Sequence, residues 1–137
     1  LCQAVREDAV NHFWPLQVGV GARMGGEAAV HATRQWVDRN QADVNKVLLK
    51  VDFKNAFNSV DRLAILSETR AAFPGLACWA DWCYTSSSAL LFGKHTLQSS
   101  QGVQGDPLGP LLFSAALQPA LRQAAQCPVE LCFSICG

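Results

Sequence analysis

Apolar residues along this chain switch between a helical and a strand-like spacing, and the switches mark out its elements. From Glu27 to Arg39 the period is helical. Ala28, His31, Ala32 and Gln35 share one stripe, with Ala29, Thr33, Trp36 and Val37 on its flank. Lys46 to Phe53 is short, apolar and β-branched at both valines, and it predicts a strand that ends in a carboxylate. Lys54 to Val60 reads as a turn-to-helix junction. Asp61 then stands as the N-cap of a helix of about ten residues that stops before Pro74. Gly75 to Tyr84 predicts another helix, in which the helical spacing of Trp79, Trp82 and Cys83 points to core. Ala89–Phe92 and Thr96–Ser99 predict a hairpin through Gly93-Lys94-His95. Gln101 to Pro107 is a tight loop with Gly102 and Gly105. Leu108 to Ala125 follows as an apolar helix that tolerates Pro110 in its first turn and is expected to kink or divide at Pro119. Ahead of all these, Leu1 to Phe13 reads as a short helix or strand. Trp14 to Met24 reads as a loop punctuated by Pro15, Gly19 and Gly21. The order is α+β, and no internal repeat is visible.

Composition narrows this picture. The chain has 137 residues, half of them apolar, which suits one compact domain with a modest core and excludes a disordered chain. Eleven basic residues balance eleven acidic ones. That balance is unfavourable for a stand-alone nucleic-acid binder, because phosphate binding draws most of its affinity from Lys and Arg. It still suits the centre of a larger protein whose basic surface lies elsewhere. Cys2, Cys78, Cys83, Cys127, Cys132 and Cys136 do not follow zinc-site spacing, and predict reduced, mostly buried thiols in an intracellular protein, nuclear or cytoplasmic. No membrane span is expected, since the longest apolar run, Leu108 to Leu117, is short and contains Pro110. The start at Leu1, without an initiator methionine, and the end at Gly137 both read as cuts through a longer gene product.

Two segments carry candidate chemistry. The first is Val51-Asp52-Phe53-Lys54-Asn55-Ala56-Phe57-Asn58-Ser59-Val60-Asp61-Arg62. The second is Gln101-Gly102-Val103-Gln104-Gly105-Asp106-Pro107-Leu108-Gly109-Pro110-Leu111-Leu112-Phe113. They resemble, in order and separation, two motifs of the reverse transcriptases of retroelements that lack long terminal repeats. A third segment, Gln17-Val18-Gly19-Val20 with Gly25-Gly26-Glu27-Ala28-Ala29-Val30-His31, resembles the fingers of the same family. The resemblance implies a partial polymerase-type palm with fingers elements, an antiparallel sheet packed against helices. Residues 1–45 would be the fingers-like fragment and 46–137 a truncated palm-like fragment.

The resemblance also implies roles. Asp52 would be the catalytic carboxylate and a metal ligand, and the Phe53 carbonyl would complete the metal shell. Phe57 would stack under the sugar and discriminate against a 2′-hydroxyl. Gln101, Gly102, Gln104 and Gly105 would border the nucleotide and template, and Arg23 would meet the triphosphate from the fingers. The implied cofactor is magnesium, with manganese as a substitute, and the implied partners are an RNA or DNA template–primer and a deoxynucleoside triphosphate. The chemistry suits the residues, since nucleotidyl transfer relies on two divalent ions about 3.5–4 Å apart that activate the primer hydroxyl and neutralise the leaving group.

Other residues read as structural. Asp61 and Asp106 are expected to cap helices, Lys50, Lys54 and Arg62 to be solvent-face charges, and His31 to be a packing residue.

The chain departs from the family at two points. The second motif usually has two glutamines before its glycine, and with Gln104 alone the loop is one residue short. The paired aspartates that normally follow the apolar helix are missing, as Glu130 is the only acid after Asp106. The tail from Cys127 to Gly137 reads either as a strand approaching that hairpin or as frameshifted or decayed sequence. The expectation is a reverse-transcriptase fragment, inactive alone. The alternative is a noncatalytic remnant that binds nucleic acid or a partner.

Overall fold

The structure is a computed structural model and describes residues 5–103 and 105–127. Gln104, Cys2, Cys132, Cys136 and the tail beyond Cys127 lie outside the described residues. The architecture is mixed: helices with one small antiparallel sheet of two strands. In chain order the elements are α1 (Arg6–Phe13), α2 (Gly25–Asn40), α3 (Ala56–Ser59), α4 (Arg62–Ala72), α5 (Pro74–Tyr84), β1 (Ser88–Phe92), β2 (His95–Ser99) and α6 (Gly109–Ala124).

Helix α4 forms where a cap and an apolar stripe coincide. The Asp61 carboxylate accepts from the Leu63 amide, and Arg62, Ile65, Leu66 and Thr69 are buried along one face. Pro74 opens α5 in the first turn, where its missing N–H costs nothing, and Leu76, Ala80 and Tyr84 turn inward at four-residue steps. Helix α6 runs unbroken from Gly109 to Ala124 through Pro119, so the proline does not divide it. Its inner face carries Leu111, Leu112, Ala115 and Gln118. Helices α4, α5 and α6 enclose the core, and α1 lies on α6 and contributes Ala9 and Phe13 to it. Phe13, Ile65, Leu76 and Leu112 are fully buried, each contributing about 1.5–3 kcal/mol from loss of apolar surface to water.

A polar seam ties α1 to α6. The Gln17 side-chain amide donates to the Ser114 carbonyl at 2.6 Å and to the Gln118 side-chain oxygen at 2.8 Å. Gln118 donates in turn to the His12 carbonyl at 2.9 Å. The His12 ring lies edge-on to Phe13 and Phe73, and its Nε2 is buried without a hydrogen-bond partner. Burial lowers the His12 pKa, the Arg122 charge adds to the effect, and Glu68 opposes it. The folded protein therefore binds a proton on this ring less readily than the unfolded chain, which takes one up near pH 6.5. The associated stability is full above that value and is lost as pH falls through it toward the folded pKa. Urea melts at pH 7.5 and 5.0 should show a smaller loss of stability on acidification for His12→Phe than for the parent chain. Equal losses would exclude His12 as the titrating group.

Helix α2 is docked at its start and exposed along most of its length. Gly25 fixes the docking, since a Cβ there would overlap the Val18 carbonyl. The expected stripe of α2 is corrected accordingly: His31 is exposed, and only Gly25 and Ala29 are buried.

Several other expectations fail. Lys46 to Phe53 forms no strand, and Leu49 is 81 % exposed. Its local β preference is strong, yet no strand among the described residues pairs with it, and an extended segment without a ladder partner gains nothing from that preference. The sheet itself is not packed face-down on helices, since Ala89 to Gln98 are exposed. Trp82 is 81 % exposed rather than core, while Trp79 is half-buried against Tyr84. The inner face of α5 is filled by Leu76, Ala80 and Tyr84, which turns Trp82 outward. Cys78 and Cys127 are exposed and Cys83 is half-buried, so these thiols, all free, are not the buried set expected.

Candidate functional site

The two motif segments are separated by about 40 residues of chain and meet in space. After Asn55, at φ 54°, the chain makes the single turn of α3 and then extends through Val60 to the Asp61 cap. The loop from Gln101 lies directly against this stretch. The Gly102 amide donates to the Val60 carbonyl at 3.1 Å, and the Val103 amide donates to the Phe57 carbonyl at 2.7 Å. Gln101 forms an isolated antiparallel bridge with Asp61. Gly102 sits at φ +82°, and a Cβ there would lie 2.9 Å from backbone atoms of Phe57 and Asn58. The close approach therefore requires glycine on both conformational and steric grounds.

The loop is braced from below. Asp106 accepts from the Leu108 amide at 2.7 Å and from the Tyr84 hydroxyl, and the Gly109 amide donates to its carbonyl at 2.8 Å. The capping role expected of Asp106 is corrected: Leu108 holds the cap position of α6 without a side-chain cap, and Asp106 instead braces the turn ahead of it and ties it to α5. Burial raises the Tyr84 pKa, the bond to Asp106 and its charge raise it further, and Arg62 opposes them. Tyr84 is accordingly a fixed donor at neutral pH.

Phe57 is half-buried, with its ring 5.2 Å from that of Phe113 on α6. Phe53 reaches the same ring at 6.4 Å. The first motif therefore lies along α6 on these two aromatics, with Asp52 next to Phe53 and exposed. Asp52 does not stand at the tip of a buried strand. Gln101 and Gly105 are exposed, while Gly102 is buried in the interlock. Gln104 lies outside the described residues. Arg23 is exposed on the turn before α2, and its side chain makes no hydrogen bond or ion pair with a described residue.

Among the described residues, no group of three His, Cys, Asp or Glu side chains could hold a metal ion. One carboxylate, Asp52, and one carbonyl, that of Phe53, do not make a cage for two magnesium ions, which take several oxygen ligands each.

Arg62 also departs from its expected place. It is 7 % exposed, not a solvent-face charge. Its Nε donates to the Gly102 carbonyl at 3.3 Å, and its two terminal nitrogens donate to the Ser86 carbonyl at 3.0 Å and the Ser88 hydroxyl at 3.1 Å. The guanidinium lies 5.3 Å from the centre of the Tyr84 ring. The signal was present in the sequence: positions 62, 65, 66 and 69 share one helical face, and the last three are Ile, Leu and Thr.

No family model, curated protein or solved structure matches the chain.

Proposed function

We propose that this chain is a fingers-and-palm fragment of an RNA-directed DNA polymerase, carrying two motifs of nucleotidyl transfer without the full catalytic set. The observation that supports this reading is the interlock of the two motif segments, Phe57–Asp61 with Gln101–Val103, through two backbone hydrogen bonds and a glycine contact. In this reading Asp52 would hold metal with the Phe53 carbonyl, and Phe57 would select the sugar. Gln101 would border the incoming nucleotide beside the buried Gly102. Template, primer and nucleotide would be bound by the larger protein, consistent with the balanced charge of the chain.

A single carboxylate cannot position two ions, so the 137-residue chain should not extend a primer on an RNA template with magnesium or manganese. Incorporation by this chain that disappears in Asp52→Ala would overturn its inactivity. In a longer chain that supplies paired aspartates, Asp52→Ala should reduce extension at least on the order of 10²-fold. Extension indifferent to that substitution would remove the assignment of Asp52.

A further inference from the structure

The loop at Gly102 also borders a cleft of about 530 Å³. Its walls include Arg62, Asn58, Ser88, Ser99, Gln101 and Trp82. Arg62 is the one charged side chain among the described residues that line it. A guanidinium stays protonated under all ordinary conditions, and burying it is costly unless a counter-charge is close. Here every hydrogen-bond partner of Arg62 is neutral: two backbone carbonyls and a hydroxyl. The Asp106 carboxylate is engaged elsewhere, by the Tyr84 hydroxyl and the Leu108 amide. These contacts use one N–H on each nitrogen, so two of the five guanidinium donors remain.

Further donors stand around that charge. The Ser88 hydroxyl accepts from Arg62 and keeps its own proton free to donate. The side-chain amides of Asn58 and Gln101 have no partner among the described residues. A buried cation without a carboxylate, surrounded by hydroxyl and amide donors and open to a cleft, is complementary to a tetrahedral oxyanion. We propose that this cleft binds phosphate oxygens, with Arg62 as the charge and Ser88, Asn58 and Gln101 as neutral donors. The inference does not rest on the polymerase reading, because it uses neither Asp52 nor a metal. The same chemistry could come from a free phosphate or from a phosphodiester of nucleic acid.

The test is the thermal midpoint of the full chain in inorganic phosphate, against chloride at matched ionic strength. At about ten times the dissociation constant, phosphate should raise the midpoint on the order of 5 °C. Ser88→Asp places a carboxylate where the Ser88 hydroxyl now meets Arg62, so the protein would carry its own counter-ion. That variant should melt above the parent chain in chloride and gain nothing from phosphate. No rise in the parent chain overturns the proposal. An equal rise in parent and Ser88→Asp would mean an adventitious ion only, and overturns it as well. A short single-stranded oligonucleotide of equal phosphate content identifies the source. A rise of the parent alone with it assigns the site to a nucleic-acid backbone, and a rise with inorganic phosphate only assigns it to a small phosphorylated molecule.

Discussion

Gly102→Ala is expected to destabilise the protein by about 2–5 kcal/mol, the combined cost of a strained backbone and an overpacked contact. The residue lies at φ +82°, and its missing side chain would press on the Asn58 Cα and on the carbonyls of Phe57 and Asn58, all at 2.9 Å. These are backbone atoms, fixed by the same hydrogen bonds that hold the loop, so they cannot swing aside as a flexible side chain would. Gly105→Ala separates the two causes. Gly105 has a similar dihedral, φ +88°, but open space around it. It should show the conformational cost alone, about 1–2 kcal/mol. Urea midpoints at unchanged m-value measure both variants. Equal losses for the two would mean that the motif segments are not in firm contact.

Leu112→Ala carries the other large effect, an expected loss of about 2–5 kcal/mol. Leu112 is 0 % exposed and lies on the inner face of α6, where α4 and α1 also pack. Against a total stability of about 5–15 kcal/mol for an ordinary domain, this loss would bring the chain close to unfolding at growth temperature. Leu91, at 80 % exposure on the hairpin, is the control, and its truncation should move stability by no more than about 0.5 kcal/mol. A calorimetric loss below about 1 kcal/mol for Leu112→Ala would show that α6 is not the centre of the core.

Much of the local structure could be read from the residues. The Asp61 cap, the proline at the start of α5, the hairpin turn at Gly93 and the apolar run of α6 all follow from chemistry within a few positions, and each element lies close to where it was expected. The failures have one physical origin. Lys46–Phe53 is strand-like and Trp82 core-like in its own character, but burial depends on which surface arrives to cover them. Val47, Leu48, Leu49, Val51 and Trp82 all stay exposed. Arg62 failed in the opposite direction: its charge suggested solvent, while its place on the α4 stripe indicated burial. At the candidate site, the glycine spacing of 101–105 foretold a tight loop. That the loop would be hydrogen-bonded to Phe57 and Val60 is a long-range fact that only the fold supplies.

The seam between Gln17 and Gln118 bridges 101 positions of sequence. Helix α1 rests on a surface that is among the last parts of this stretch to be synthesised. During translation, at about 5–20 residues per second, the first helix would leave the ribosome with its apolar face unmatched and stay so for several seconds. Phe13 can meet Phe73 first, and its cover on the other side arrives only when α6 follows. Assembly of this core therefore waits on its late half.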